Sequence, residues 1–287
     1  MAKICIAFFL LTLSFSRSIT VVISQKDLGP KVCQEIWTAA GDNLKVALEL
    51  KVDLTNGTSQ VFTLEPAGAE KIDSSPVFQS FRALLKTNNK ENQDAFLHSI
   101  TQPGRPVDIA RKHLNDEGIL NPVEDQKTFI SRLREMWFGS PTKQGFKHVF
   151  VGEQATTDEY SGFHNWYQLY LEQLKNPSTI TAVTFEPNSY THNTDVEPSF
   201  IRLNFEWNGR KKGPGSSMFV GTSPAFDFAM FSLCSIVLFK ENHQDGDCTC
   251  KIHNSRVTIR AINRNVSKKI LTVTAFPTSV VCKFQTE

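Results

Sequence analysis

Two histidines stand out as residues that could perform chemistry. His148 begins an apolar run that ends before Gly152, and His164 follows 16 residues later. Two imidazoles beside a phosphodiester can act as general base and general acid, because one can deprotonate a nucleophile while the other protonates the leaving oxygen. The pair therefore suggests acid–base chemistry on a phosphate ester.

The local sequence predicts how each histidine is held. The run from His148 to Val151 predicts a short buried strand. Six residues after Ser161 and Gly162 recur at helical spacing and form one apolar face: Phe163, Trp166, Tyr167, Tyr170, Leu171 and Leu174. Ser161 is the predicted N-cap, and Gly162 allows another backbone to approach closely. We therefore expect His164 in the first turn of a helix, where the helix dipole keeps imidazole neutral and basic.

Helical patterns dominate the first half of the chain and strand patterns the second. Helices are predicted at 32–40, from Ser75-Pro76 to Leu85, and at 92–100, 107–114 and around 129–137. Alternation from Leu44 to Leu54 predicts a half-buried strand, with a hairpin turn at Asn56-Gly57. Further on, the sequence predicts a strand at 201–207, a buried helix at 226–238 and a hairpin of 256–262 with 269–276.

The N-terminus predicts export from the cell. Residues 1–18 combine Lys3, the apolar run Ile4–Phe15 and small residues before a cleavage point, which is typical of a secretory signal peptide. The run is too short to span a membrane comfortably, and no later stretch approaches a span. We therefore expect a secreted, extracellular protein without a membrane segment. Asn56 and Asn265 lie in glycosylation sequons.

Five cysteines remain after the predicted signal peptide: Cys33, Cys234, Cys248, Cys250 and Cys282. An oxidising compartment allows up to two disulfides and leaves one thiol, but the sequence does not give the pairing. A zinc site formed by His243, Cys248, Cys250 and His253 is the alternative, although their spacing matches no standard site.

Charge says little about the partner. The chain has 31 basic and 29 acidic residues, so the formal net charge is +2 and does not by itself favour nucleic acid. One basic run lacks any Asp or Glu: Lys251, Arg256, Arg260, Arg264, Lys268 and Lys269. Such a run is usually a solvated face, so it is only a weak indication of a phosphate-binding groove.

Five segments occur in the order seen in one family: GFKHVFVGE, SGFHNWYQLYLEQ, LNFEWNG, SSMFVGTSPAF and TAFP. They resemble the EndoU (XendoU and placental protein 11-like) family of uridine-preferring endoribonucleases, and the resemblance covers nearly the whole mature chain. It implies an α+β fold in one domain, residues 25–287. The helical N-terminal lobe would cover 25–138 and the β-rich catalytic lobe 139–287.

The resemblance also implies a reaction. The 2′-hydroxyl of single-stranded, uridine-containing RNA attacks the adjacent phosphorus and leaves a 2′,3′-cyclic phosphate, whereas DNA lacks that hydroxyl and is not cleaved. By resemblance, His148 and His164 are the acid–base pair, with His164 as base, and a lysine stabilises charge on the phosphoryl oxygens. Counting from Trp207 places this lysine at Lys212, with Lys211 as the alternative.

Other site residues follow from the same resemblance. The uracil and ribose would be held by four residues: Ser217, Ser216, Thr274 and Phe276. Family members usually need or prefer Mn²⁺, which is the implied cofactor; Glu153 is a supporting residue to which Asp158 could add, but no set of metal ligands is evident from spacing.

The sequence departs from the family pattern in several places, including Ala225 where the family often has Glu. Lys147 replaces a frequent Glu, and the turn Lys-Pro-x-x-Ser becomes Lys212-Gly213-Pro214-Gly215-Ser216-Ser217. Phe276 replaces the usual tyrosine, so it keeps a ring for stacking but loses a hydroxyl. These departures are the reason for a second interpretation, kept as the alternative to an active enzyme: a non-catalytic RNA-binding or interaction protein on the same fold. An unrelated secreted hydrolase would need a nucleophile motif such as Gly-x-Ser-x-Gly, which the sequence lacks.

Overall fold

The computed structural model describes residues 24–120, 122–140, 142–176, 178–186 and 197–282. The predicted signal peptide, residues 1–18, lies outside them. The helices of this part are α1 (Val32–Ala40), α2 (Pro66–Ser74), α3 (Pro76–Lys86), α4 (Lys90–Thr101), α5 (Pro106–Asp116), α6 (Gln126–Phe138), α7 (Trp166–Lys175) and α8 (Pro224–Lys240). None of them is long and apolar enough to cross a membrane.

The strands form two larger sheets and a small hairpin. They are β1 (Ser24–Asp27), β2 (Leu50–Val52), β3 (Phe62–Leu64), β4 (Glu153–Gln154), β5 (Glu159–Ser161), β6 (Ile180–Phe185), β7 (Ser199–Trp207), β8 (Arg210–Lys212), β9 (Ser216–Val220), β10 (Asp245–Ile252), β11 (Ser255–Val266) and β12 (Lys269–Cys282). One sheet has the order β1-β10-β11-β12, and the other β4-β5-β8-β7-β6, with β9 also paired to β7. Strands β2 and β3 pair with each other. The predicted α+β fold is confirmed, whereas the boundaries of the domain and its lobes stay predictions.

An aromatic core joins the helices to the segment that carries His148. Helix α8 is buried along nearly its whole length, as its predominantly apolar sequence predicts. The ring of Phe150 lies 5.5 Å from that of Trp137 on α6 and 6.1 Å from that of Phe228 on α8. Trp137 also donates a hydrogen bond from Nε1 to Ser232 Oγ on α8, at 2.8 Å. Packed side chains thus fix the chain just after His148.

The predicted strand from Leu44 to Leu54 is largely wrong. Only Leu50–Val52 is a strand, and it pairs with the predicted return strand Phe62–Leu64. Ala47 has a φ of 73°, which an extended strand does not allow, and Leu48 is 70% exposed. A tight turn therefore interrupts the alternation.

Four of the five cysteines form disulfides, and the zinc alternative is wrong. Cys33 on α1 is joined to Cys250 on β10, and Cys234 on α8 is joined to Cys248 on β10. Because both central cysteines of the zinc hypothesis are oxidised in these pairs, they offer no thiolate to a metal. Both sequon asparagines are exposed, at Asn56 and Asn265, and their glycosylation stays a prediction.

Candidate active site

His148 lies in a π-helical turn, Lys147–Val151, which we call the His148 turn. The predicted strand at this position is wrong. Val149 and Phe150 are fully buried, so the apolar run fills the core by coiling against it instead of pairing with a neighbouring strand. Turns of this kind are rare and occur frequently at functional sites.

The backbone of the His148 turn is bonded directly to the segment that carries His164. Phe163 donates its N–H to the carbonyl of His148 at 2.8 Å, and His164 donates to that of Val149 at 2.7 Å. Gly162, with a φ of 72°, makes this approach possible, because a Cβ there would lie 1.8 Å from the carbonyl oxygen of His148. The predicted close approach at Gly162 is therefore present, and it fixes the two histidines relative to each other.

His164 precedes its helix instead of lying in the first turn. Helix α7 begins at Trp166, and its N-cap is Asn165, whose Oδ1 accepts a hydrogen bond from the backbone N–H of Gln168 at 3.0 Å. Ser161 is therefore not the cap. The predicted apolar face also ends early, because Leu174 is 56% exposed.

The ring of His164 is buried and neutral. Its Nδ1 lies 3.0 Å from the backbone carbonyl oxygen of Ser217, so Nδ1 carries the hydrogen and donates it. Burial lowers the pKa of His164 well below its usual range, and the positive charges of Lys212 and His148 lower it further. The predicted neutral, basic imidazole is present, but burial and nearby charge produce it, and the helix dipole is not its main cause.

His148 has a different partner. Its Nδ1 lies 2.8 Å from Oε1 of Glu153, the first residue of β4, and the side chain of His148 is 20% exposed. The centroids of the His148 and His164 rings are 6.3 Å apart. The carboxylate fixes the orientation of the ring and leaves Nε2 available for a substrate.

Strand β8 brings one of two neighbouring lysines to the histidines. Lys211 and Lys212 pair with Glu159 and Tyr160 of β5 in parallel register, and alternate residues of a strand face opposite sides. Lys212 is only 5% exposed, whereas Lys211 is exposed. Burial lowers the pKa of Lys212 to about 8, and its Nζ donates a hydrogen bond to the Pro214 carbonyl oxygen at 2.8 Å. The structure therefore favours Lys212 over Lys211.

The predicted substrate-binding residues have unequal positions. Ser216 is fully buried and donates its hydroxyl to the carbonyl of Phe163, so it supports the backbone next to His164. Ser217 supplies the carbonyl that orients His164. Phe276 stacks on the His164 ring with centroids 4.5 Å apart and an interplanar angle of 17°. Thr274 is 7% exposed, and its Oγ1 has no hydrogen-bond partner among the described residues.

A buried polar network behind His164 was not predicted. Asp227 on α8 accepts hydrogen bonds from Thr222 Oγ1 at 2.7 Å and from Asn165 Nδ2 at 3.2 Å. Burial raises the pKa of Asp227 to about 8. A sequence signal existed, because an acidic residue within a wholly apolar helix is seldom buried without a hydrogen-bond partner.

The side chains of the site do not fit a resident metal ion. Within the part of the chain that the structure describes, no three His, Cys, Asp or Glu side chains are grouped closely enough to hold one. The carboxylate of Glu153 is bonded to His148, and that of Asp158 lies 3.3 Å from the hydroxyl of Thr157. The chemical steps derived below therefore use only side chains of the chain.

Comparison with known proteins supports this fold. The family model described as Endoribonuclease XendoU matches residues 79–277. The chain is 33% identical to Uridylate-specific endoribonuclease B of Danio rerio, over 78% of this chain and 90% of that protein. It is 32% identical to the Uridylate-specific endoribonuclease of Homo sapiens, over 58% of this chain but only 43% of the human protein, so it spans less than half of that relative.

A solved structure agrees in fold. The structure of XendoU, described as a splicing independent snoRNA processing endoribonuclease, superposes with a TM-score of 0.68 at 22% identity and covers 88% of this chain and 96% of its own. At that identity the likeness concerns the fold alone. The family match and the fold together lead to one conclusion: the chain belongs to the XendoU (EndoU) endoribonuclease family.

Proposed function

We propose that the protein is an endoribonuclease that cleaves single-stranded RNA at uridine and leaves a 2′,3′-cyclic phosphate. The observation that carries the proposal is the pair of imidazole rings, whose centroids lie 6.3 Å apart and whose Nδ1 atoms have different kinds of hydrogen-bond partner. His148 is bonded to a carboxylate and His164 to a neutral carbonyl. One ring can therefore accept a proton and the other can donate one in the same reaction.

His164 acts as the general base. Because its pKa is lowered and its Nδ1 donates to Ser217, the lone pair on Nε2 is free at neutral pH to accept the proton of the 2′-hydroxyl. The 2′-oxygen then attacks the adjacent phosphorus. DNA has no oxygen at this position and is not cleaved.

His148 acts as the general acid. When the bond between phosphorus and the 5′-oxygen breaks, Nε2 of His148 donates a proton to that oxygen. Glu153 holds the ring through Nδ1 and stabilises the positive charge that the ring carries before this transfer. One proton is removed and one is supplied, so the reaction is balanced.

Lys212 stabilises the charge that develops on the phosphoryl oxygens. A cation in a buried site interacts with such charge more strongly than it would in water. With a pKa of about 8, Lys212 is mostly protonated at neutral pH. The hydroxyls of Thr274 and Ser217 are proposed contacts for the uracil and ribose, and Phe276 holds His164 by stacking.

Secretion is part of the proposal. Two disulfides support an oxidising compartment, because such bonds seldom persist in the cytosol. This agrees with the predicted signal peptide and with the exposed sequons at Asn56 and Asn265. We also propose that Mn²⁺ assists cleavage, as the family resemblance implies.

One assay tests both the endoribonuclease activity and the role of His164 as general base. The purified mature chain is incubated with a short RNA that contains a single uridine, with and without Mn²⁺, and His164→Ala is treated in parallel. We expect cleavage after the uridine, a 2′,3′-cyclic phosphate on the product, and loss of both in the variant. Intact RNA in every reaction, from a folded protein that still binds it, would instead support the non-catalytic RNA-binding interpretation.

A further inference from the structure

A cleft of about 400 Å³ extends from His148 along the β11–β12 hairpin. His148 and Glu153 form part of its wall, so the cleft is continuous with the proposed active site. The rest of the wall includes Lys143, Arg264 and Thr272, none of which has a role in the chemistry described above. We call this space the Arg264 cleft.

Two cations face the Arg264 cleft from different elements. Lys143 belongs to the segment before the His148 turn, and Arg264 belongs to β11. Among the described residues, neither side chain has an acidic partner within ion-pair distance. By contrast, two neighbours on the same hairpin are paired, Arg260 with Asp245 and Lys269 with Glu135. The basic run of the sequence thus leaves an uncompensated positive charge at the cleft.

A buried hydroxyl also lines the Arg264 cleft. Thr272 is 1% exposed, and its Oγ1 has no hydrogen-bond partner within the part of the chain that the structure describes. Thr272 pairs with Asn263 and Thr274 with Ile262, so Val273 between them has no partner in the register. Such a β-bulge often re-aims side chains beside an active site. A buried donor without a partner is uncommon and is met by a ligand or by water.

We propose that the Arg264 cleft is a second phosphate subsite, which binds the phosphate on the 3′ side of the nucleotide that leaves. This inference rests on the proposed function, in which His148 protonates the 5′-oxygen of that nucleotide. The chain that continues from this oxygen then lies on the His148 side of the site. Arg264 would bind the phosphate through two parallel N–H···O bonds, Lys143 would add charge, and Thr272 would donate its hydroxyl.

Three small substrates test separately the contribution of a phosphate on each side of the scissile bond. UpA has only the scissile phosphate, UpApA adds a phosphate on the 3′ side, and ApUpA adds one on the 5′ side. For the wild-type protein we expect a lower KM for UpApA than for UpA. Arg264→Gln should raise KM for UpApA about 10-fold, as expected for loss of a charged hydrogen bond, and should leave KM for UpA and ApUpA unchanged.

Two further variants make the test specific. Arg256→Gln removes the same charge from an exposed position on the same strand, outside the cleft, and should leave KM for all three substrates unchanged. Thr272→Val removes the hydroxyl but keeps the shape, and should raise KM for UpApA about threefold. If Arg264→Gln changes KM for the three substrates equally, or for none, the subsite proposal is wrong.

Measurements of binding affinity distinguish failure of the subsite proposal from failure of the proposed function. If the wild-type protein cleaves none of the substrates, the proposed function fails, and the subsite is then tested with dUpA and dUpApA, in which the uridine lacks its 2′-hydroxyl. We expect dUpApA to bind more tightly than dUpA, with a difference that Arg264→Gln removes. The slope of log K against log salt should also fall by about 0.7 in that variant. Equal affinities and slopes would overturn the subsite.

Discussion

The His148 turn and the segment around His164 hold the same kind of side chain in opposite surroundings. The His148 side chain is 20% exposed and bonded to a carboxylate, whereas His164 is buried, stacked on Phe276 and bonded to a carbonyl. Two backbone hydrogen bonds join the regions, so the contrast lies in the partners of the rings. The comparison teaches that partner and burial, not residue type, assign an acid and a base.

The largest expected effects are the losses of activity when either histidine is replaced. A change of the leaving group in the substrate then distinguishes the acid from the base. His148→Ala and His164→Ala should each lower kcat on RNA about 10²–10⁴-fold. On a uridine 3′-phosphodiester whose leaving group is nitrophenolate, His148→Ala should recover most of its activity, because nitrophenolate leaves without a proton. His164→Ala should not recover. Recovery of His164→Ala in place of His148→Ala would reverse the two roles.

The next effect concerns Lys212, whose charge acts on the ring of His164. Lys212→Ala should lower kcat about 10²–10³-fold, because it removes charge stabilisation at the phosphoryl oxygens. Lys212 is charged below its pKa of about 8 and neutral above it, so the wild-type rate should fall as pH rises through 8.

Two variants check this assignment through the pH–rate profile. The rate of Lys212→Arg, whatever its absolute value, should not fall as pH rises above 8, since a guanidinium remains charged there. Lys211→Ala changes the exposed neighbour and should behave as wild type. A large loss in Lys211→Ala with little change in Lys212→Ala would show that the other lysine acts.

A smaller effect tests whether Glu153 acts through His148. Glu153→Gln replaces a charged hydrogen bond by a neutral one and should lower kcat on RNA about 10-fold. The nitrophenyl substrate should show no such loss. A double-mutant comparison provides the control, because Glu153→Gln should have no further effect once His148 is alanine. An equal loss in that background would mean that Glu153 acts elsewhere.

The smallest expected effect concerns the ring stacked on His164. Phe276→Tyr adds one hydroxyl at the site and should raise the preference for uridine over cytidine about two- to tenfold, in line with one added hydrogen bond. Competition between two RNAs that differ in that single base measures the change. An unchanged rate and base preference would count against a role of position 276 in base recognition.

The sequence predicted the elements better than the contacts within the site. The hydrophobic pattern of the local sequence is enough to predict the buried helix α8 and the β11–β12 hairpin. The run from His148 to Val151 was misassigned because three consecutive apolar residues suit a strand and a buried turn equally well. Phe163 and His164, further along the chain, donate hydrogen bonds to its carbonyls, and the pattern of the run itself does not reveal these contacts.

The same limit applies to the electrostatics of the site. Both histidines were predicted from their motifs, but the carbonyl of Ser217, which sets the tautomer of His164, is a backbone atom that no residue type reveals. Counting along the turn left Lys211 and Lys212 as alternatives. Only their different burial on β8 separates them, and burial is a property of the folded chain.

The two disulfides set an order in time. Cys33 precedes Cys250 by 217 residues, so at about 5–20 residues per second its partner is synthesised about 10–45 s later. Cys234 precedes Cys248 by only 14 residues and waits about 1–3 s. The short loop can therefore close before the partner of Cys33 has been synthesised and folded into place. Once it has closed, Cys248 is no longer available to Cys33.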